Sequence, residues 1–128
     1  MGFIVRKKHI YLNLFLINFP ITAMTSIIHR VTCVMLFLFF FIVLYLFKLS
    51  IESESSFLMI SLLLQKFYIK LFLFLFLSSL LYHFLFGIKH MIMDLGFFET
   101  KSASTKISLL CLFFVVVLSV IILLSMVL

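Results

Sequence analysis

The sequence predicts an all-α integral membrane protein that crosses the bilayer three times. Of its 128 residues, 66% are hydrophobic and only 11% are charged, and the mean hydropathy is +1.43. A soluble domain of this length has too large a surface-to-volume ratio to bury so much apolar side-chain area. The sequence also contains three long runs without a formal charge, and Lys or Arg residues border them. Lipid is therefore the expected solvent for most of the chain.

The charge-free runs define the expected spans. They cover residues 31–47, 71–88 and 107–128. A helix needs about 20 apolar residues to cross a hydrocarbon core of about 30 Å. The first two runs therefore include their basic flanks, whose long side chains reach the interface. The predicted spans are approximately 25–48, 66–90 and 106–128, within a single domain that covers 1–128.

Three features lie outside or at the edge of these spans. We expect the first helix to begin near Thr25, because Pro20 and the residues after it are typical of helix starts. Residues 1–24 mix basic, amide and apolar side chains, and we expect an N-terminal interfacial segment there. The apolar run at 55–64 is too short to span. It either extends the second span or lies along the membrane surface.

The distribution of Lys and Arg predicts the orientation of the chain. With three spans, the N-terminus and the loop at 89–106 share one side of the membrane. The basic residues on that side are Arg6, Lys7, Lys8, Arg30, Lys89, Lys101 and Lys106, whereas the other side has Lys48, Lys66 and Lys70. Basic residues favour the cytoplasmic side. We therefore expect a multi-pass protein of the bacterial inner membrane, or of the mitochondrial inner membrane, with its N-terminus in the cytoplasm or matrix.

The net charge of +6 does not indicate a surface for nucleic acid. Most of the basic residues stand at the ends of apolar runs, so they report topology and do not form one large patch. We expect membrane lipid, and no nucleic acid, among the partners of this chain.

The first polar cluster lies at the start of the first span and contains Ser26, His29 and Arg30. Ser26 and Arg30 are four residues apart, so they share one helical face about 6 Å apart along the axis. A hydroxyl and a guanidinium on one face suit a carbonyl oxygen that gains negative charge. The alternative is an interfacial Arg30 that contacts phosphate head-groups, with Ser26 as part of the helix start.

The second cluster lies on the second span, where His83, Gly87 and His90 form one stripe at i, i+4 and i+7. Ionisable residues inside a span are costly and are functional candidates. His83 either pairs with a hydroxyl or ligates a haem iron, with Gly87 leaving room for the macrocycle and with His90 and Lys89 near its propionates. A six-coordinate haem needs a second axial ligand, which would come from His29 or from a partner subunit.

Both clusters resemble signatures of one family, the cytochrome b subunit of succinate dehydrogenase. The segment Ser26-Ile-Ile-His-Arg30 is similar to the family's Ser-Ile-x-His-Arg. The segment His83-Phe-Leu-Phe-Gly-Ile-Lys-His90-Met-Ile-Met-Asp94 is similar to its His-x3-Gly-x-Arg-His-x3-Asp. Two departures are Cys33, where the family usually has Gly, and Lys89 in place of Arg. The likeness in length, spans and motif positions covers essentially the whole chain.

The resemblance implies an assembly. In that family, this subunit and a second small three-helix anchor form a heterodimeric helical bundle, of which this chain would be half. The bundle holds a flavoprotein subunit and an iron–sulfur subunit on the membrane. Electrons from succinate pass through those subunits to ubiquinone. Dicarboxylate chemistry would belong to the soluble subunits, and no catalytic activity is expected from this chain alone.

The resemblance also implies roles for individual residues. His83 would be one axial ligand of haem b, and the partner anchor would donate the other. Ser26 and Arg30 would bind the quinone. The vicinity of the haem propionates would include His29, Arg30 and His90.

Two other functions remain open from the sequence. One is the membrane anchor of a fumarate reductase, which shares this architecture but works with menaquinone. The other is a small structural membrane protein without haem, whose histidines serve only in packing. A reducible b-type absorption spectrum separates the second of these from the haem hypothesis.

Overall fold

The computed structural model describes residues 19–128. Within that range the chain forms four helices and no strand. Their bounds are α1 Ile21–Glu52, α2 Glu54–Leu64, α3 Phe67–Asp94 and α4 Lys101–Val127. Three of them, α1, α3 and α4, are long and apolar enough to cross a membrane. The predicted all-α architecture with three spans is thereby confirmed.

Helix α1 begins directly after Pro20, four residues before the start near Thr25 that the sequence suggested. Pro20 has an extended backbone, and its carbonyl oxygen accepts hydrogen bonds from the amides of Ala23 and Met24. Proline lacks an amide hydrogen, so it fits the border of a helix better than the interior. Most of the predicted interfacial segment 1–24, namely residues 1–18, lies outside the described residues.

The apolar run at 55–64 belongs to a separate short helix, α2. Helix α1 ends before Ser53, whose backbone is extended with φ of −160°. The Ser53 hydroxyl oxygen accepts a hydrogen bond from the amide of Ser56. Such a cap satisfies one of the amides that a helix start leaves without a partner. Gln65 and Lys66 then separate α2 from α3, so the run does not extend the second span. Helix α2 packs mainly against α1.

A short loop at residues 95–100 joins α3 to α4. Gly96 and Phe98 both adopt positive φ, 88° and 62° respectively. Glycine adopts this left-handed conformation without steric cost, as is common just after a helix end. Thr100 caps α4, because its hydroxyl oxygen accepts a hydrogen bond from the amide of Ala103. Because the loop is short and α3 and α4 pack along each other, the two helices run antiparallel.

Helix α3 is central, since both α1 and α4 pack along it. Within residues 19–128, half of the buried residues are small and polar, namely Thr25, Thr32, Ser104 and Ser108. Small residues allow helices to approach closely in lipid, where helix contacts gain little from the hydrophobic effect. Tyr82 and Phe86 are the buried aromatic residues of α3 and stack on each other. Large apolar side chains instead cover the outer faces of the spans, as a lipid environment requires.

A contact at the opposite end of the bundle joins the start of α3 to the end of α4. The Lys70 ammonium donates a hydrogen bond of 2.7 Å to the carbonyl oxygen of Met126. Carbonyls in the last turn of a helix have no intrahelical partner and carry partial negative charge. Lys70 therefore caps α4, and both helix ends lie at the same membrane interface.

Candidate functional site

Two histidines from different helices meet in the half of the bundle near the start of α1. The imidazole rings of His29 on α1 and His83 on α3 stack in parallel, with centroids 4.2 Å apart and an angle of 4° between the planes. His83 lies 11 residues before the end of α3 at Asp94. The structure thus brings together two candidates that are 54 residues apart in the sequence.

The stacked rings also form reciprocal contacts with the main chain. The His29 Nε2 atom lies 3.2 Å from the carbonyl oxygen of His83. The His83 Nδ1 atom lies 3.3 Å from the carbonyl oxygen of His29. Each ring nitrogen faces an oxygen that can only accept, so each donates. These two bonds tie α1 and α3 together at the histidine pair.

A threonine hydroxyl completes the surroundings of the His83 Nδ1 atom. Thr32 Oγ1 lies 3.4 Å from that nitrogen and donates a 2.8 Å hydrogen bond to the His29 carbonyl oxygen. Thr32 is three residues after His29 and seven after Thr25, so all three lie on the α3-facing side of α1. The i, i+4, i+7 spacing places Thr25, His29 and Thr32 on one stripe of α1, but the spacing alone does not show which helix that stripe contacts.

Beside the histidine pair lies a largely apolar cleft. Its lining residues are His29, His83, Phe84, Gly87, Ile88, His90 and Met91. None of them belongs to α4, which packs on a different face of α3. Phe84, Ile88 and Met91 are exposed, so the cleft opens on a face of α3 that α4 leaves uncovered.

Gly87 lies beside the His29 ring on the cleft side of α3. A Cβ atom built on Gly87 would lie 3.7 Å from His29 Nε2, which is ordinary van der Waals contact. A longer side chain would extend into the ring or into the cleft. The predicted stripe of His83, Gly87 and His90 therefore does face one cleft, and His29 forms its wall on the α1 side.

His90 lies at the end of this cleft nearer the loop 95–100. Its ring centroid is 5.3 Å from that of His29. The structure thus brings His29 and His90 to the same cleft, and Arg30 follows His29 directly on α1.

Ser26 and Arg30 lie one turn apart near the start of α1. Arg30 is exposed and Ser26 is half-buried. Within residues 19–128, neither side chain forms a hydrogen bond to another residue. The hydroxyl and the guanidinium can therefore both donate to a bound group at this interface.

Lys89 points to a different face of α3 from His83. It is buried at 3% exposure, and its ammonium lies 5.6 Å from the centroid of the Phe86 ring. Lys89 does not line the cleft. The cation–π contact partly compensates for the burial of this charge. On this side of α3, Tyr82 donates a 2.9 Å hydrogen bond to the Thr25 carbonyl oxygen.

The described part of the chain contains no group of three or more His, Cys, Asp or Glu side chains that could hold a bare metal ion. Each stacked histidine uses one ring nitrogen to bond the main chain of the other helix. The arrangement leaves single imidazole nitrogens available. This arrangement suits a metal ion that is already held by most of its ligands within a cofactor.

Comparison with known proteins identifies the family. Residues 5–123 match the family model described as "Succinate dehydrogenase/Fumarate reductase transmembrane subunit". The chain is also 36% identical over 95 residues to the succinate dehydrogenase cytochrome b556 subunit of Coxiella burnetii (strain RSA 493 / Nine Mile phase I). That alignment covers 73% of this chain and 76% of the relative. The family match spans nearly the whole chain and agrees with the three apolar helices. The chain belongs to the succinate dehydrogenase/fumarate reductase transmembrane subunit family.

Proposed function

We propose that this chain is the haem b-binding membrane anchor of a succinate:ubiquinone oxidoreductase, which links the tricarboxylic acid cycle to the respiratory chain. Its partners are a second small membrane anchor, an iron–sulfur subunit and a flavoprotein subunit. The complex lies in the inner membrane of a bacterium or mitochondrion. The observation that carries the proposal is the position of His83, an imidazole that lines an apolar cleft on an open face of α3.

The chemistry of the cleft fits a haem. Apolar side chains such as Phe84 and Ile88 suit the macrocycle, and His83 suits the iron. The described contacts of the His83 ring use Nδ1, and its Nε2 atom has no hydrogen bond within residues 19–128. A metal-ligating histidine commonly bonds a backbone carbonyl through its other nitrogen. When bound, the haem supplies one-electron transfer.

The geometry of the histidine pair favours a partner subunit as the source of the second axial ligand. If both His29 and His83 held one haem, the haem would have to lie between their rings. His29 and His83 instead stack face to face, with each engaged on the main chain of the other helix. The cleft opens away from α1 and α4, where a second anchor has room to contribute its own histidine. His29, Arg30 and His90 are assigned to the neighbourhood of the propionates.

The quinone site is assigned to Ser26 and Arg30. Both donors stand near the start of α1, at the interface where the soluble subunits deliver electrons. Reduction of a quinone places negative charge on a carbonyl oxygen. A hydroxyl and a fixed cation stabilise that charge more strongly than they bind the neutral carbonyl. Such differential binding is what accelerates a step.

An absorption spectrum tests the haem proposal. Membranes that contain the assembled complex should give a reduced-minus-oxidised spectrum of a low-spin b-type cytochrome, and the flavoprotein should co-purify. His83→Leu should abolish this spectrum, because leucine has no ligating nitrogen. An unchanged spectrum in His83→Leu would contradict the ligand assignment.

His29→Gln is the matched control for that experiment. Glutamine keeps a donor near the His83 carbonyl oxygen but removes the stacked ring. We expect this variant to retain the iron with a shifted spectrum. Loss of the low-spin signal in His29→Gln, together with its retention in His83→Leu, would exchange the two roles. Reduction of the complex by menaquinol but not by succinate would identify a fumarate reductase anchor.

A further inference from the structure

Three polar atoms form a closed triangle on the α1 side of the His83 ring. The His83 Nδ1 atom lies 3.3 Å from the His29 carbonyl oxygen and 3.4 Å from Thr32 Oγ1. The third side is the 2.8 Å bond that Thr32 Oγ1 donates to the same carbonyl oxygen. Thr32 is buried, with 7% exposure, so water does not compete freely for these atoms.

The triangle determines which His83 nitrogen carries the proton. A carbonyl oxygen can only accept a hydrogen bond. The Thr32 hydroxyl uses its single proton on that carbonyl, which is its shortest contact, and so presents its lone pairs to Nδ1. Both oxygens therefore require a proton on Nδ1. In a neutral imidazole the lone pair then resides on Nε2.

The His29 ring fixes the orientation of the His83 ring from one face. The two rings are parallel within 4°, and the His29 Nε2 atom is hydrogen-bonded to the His83 carbonyl oxygen. Rotation of the His83 ring by half a turn would carry Nδ1 away from both oxygens. Stacking and hydrogen bonding consequently favour a single orientation.

We propose that Thr32 is a positioning residue, whose hydroxyl acts with the His29 carbonyl to hold His83 in the Nδ1-protonated tautomer with Nε2 free for the haem iron. This inference rests on the proposed function and adds a residue to it. Thr32 touches the ligand ring and not the reacting groups.

The two acceptors also affect the electronic character of the ligand. Hydrogen-bond acceptors at Nδ1–H raise the basicity of the other ring nitrogen, as partners behind metal ligands generally do. A more basic ligand stabilises ferric over ferrous iron. Loss of the Thr32 oxygen therefore raises the reduction potential of the haem.

The decisive comparison is Thr32→Val against Thr32→Ser in the complete, purified complex. Valine has the shape of threonine without the hydroxyl, whereas serine keeps the hydroxyl. In Thr32→Val we expect the equilibrium constant for haem reduction to increase roughly three- to tenfold, as loss of one ordinary hydrogen bond predicts. Tenfold corresponds to about 59 mV for one electron. Thr32→Ser should restore the parent potential.

Thr25→Val is the matched control. Thr25 is also buried on α1, and its hydroxyl also bonds the carbonyl three residues earlier, that of Thr22. Its side-chain hydroxyl has no hydrogen bond to a histidine ring. A potential that moves equally in Thr25→Val and Thr32→Val, or in neither, would overturn the inference while leaving the haem itself established. Absence of any b-type spectrum in the parent complex would instead refute the proposed function.

A measurement on the unaltered complex covers the case in which Thr32→Val does not assemble. In the complex labelled with 15N-histidine and with the haem in its reduced, diamagnetic low-spin state, the proton on His83 Nδ1 should resonate far downfield, as a hydrogen-bonded imidazole proton does. A resonance at the position of an imidazole proton without an acceptor would contradict the inference. Thr32→Ala provides a second variant, which removes the hydroxyl and leaves a smaller side chain than valine.

Discussion

At the scale of single residues, the Ser26 hydroxyl gives the cleanest test of the quinone assignment. Charge-assisted hydrogen bonds contribute about 1.5–3 kcal/mol, and each 1.36 kcal/mol is about tenfold in rate. We expect Ser26→Ala and Arg30→Leu each to slow succinate-dependent quinone reduction by roughly tenfold or more. Because Arg30 is also assigned to the propionate neighbourhood, Ser26→Ala isolates the quinone effect better.

Two controls accompany the Ser26→Ala measurement. Electron delivery from succinate to a soluble artificial acceptor should stay nearly normal, because that route ends in the peripheral subunits. Ser50→Ala, which removes a hydroxyl from the other end of α1, should leave quinone reduction unchanged, since the Ser50 hydroxyl bonds only within its own helix. Unaltered quinone reduction and inhibitor sensitivity in Ser26→Ala would move the quinone site away from α1.

The candidate residues differ in how clearly the sequence marks them. An ionisable side chain inside or directly beside an apolar run marks His83 and Arg30, because such groups are costly in lipid and are functional candidates. Thr32 carries no charge, and threonine is common in membrane helices. Its contact with His83 depends on how α1 and α3 are rotated about their axes, which a single sequence does not specify. The same holds for Lys89, whose burial beside Phe86 also depends on how the helices pack.

At the scale of helices, the hydrogen bond from Tyr82 to the Thr25 carbonyl oxygen joins α3 to α1. Tyr82 is buried at 7% exposure. Tyr82→Phe keeps the ring and its stacking on Phe86 but removes the hydroxyl. Polar bonds between membrane helices average about 0.6 kcal/mol, so we expect a loss of that order in the free energy of unfolding in detergent.

Circular dichroism during thermal unfolding measures the effect of Tyr82→Phe. Tyr68→Phe is the matched control, because Tyr68 is on the same helix but is 62% exposed. That variant should unfold like the parent. Equal stability of Tyr82→Phe and the parent would show that the contact contributes nothing to the joining of α1 and α3.

The number and approximate positions of the spans were predictable from the sequence, whereas the exact ends of the helices were less so. Hydropathy predicted the three spans because 20 apolar residues in a row have few alternatives in lipid. Helix α1 is longer than predicted at both ends, since it begins at Ile21 and continues to Glu52. The separate helix α2 depends on one local event, the extended conformation of Ser53 and its cap. Ser-rich segments at 53–56 are compatible with a cap or with continued helix, so the sequence left both open.

At the scale of the whole molecule, the arrangement of charges predicts the topology. The start of α1 and the loop 95–100 share one side of the membrane. The hydrogen bond between Lys70 and Met126 places the start of α3 and the end of α4 together on the other side. Basic residues concentrate on the first side, with seven against three. Because positive charge is retained in the cytoplasm or matrix, the end of α4 should face the opposite compartment.

Reporter fusions test this topology in a bacterial host. A reporter that is active only after export should be active when fused after Leu128, and inactive when inserted in the loop 95–100. A cytoplasmic reporter should give the reverse pattern.

Labelling provides an independent measurement of the topology. A cysteine introduced by Ser53→Cys should react with a membrane-impermeant maleimide from outside, whereas a cysteine introduced by Ser102→Cys should not. Both proteins would carry Cys33 and Cys111 replaced by serine, so that only the introduced thiol reacts. Cytoplasmic activity of a reporter after Leu128 would invert the orientation. It would also move Ser26, Arg30 and His90 to the side away from the cytoplasm, out of reach of the proposed flavoprotein and iron–sulfur subunits.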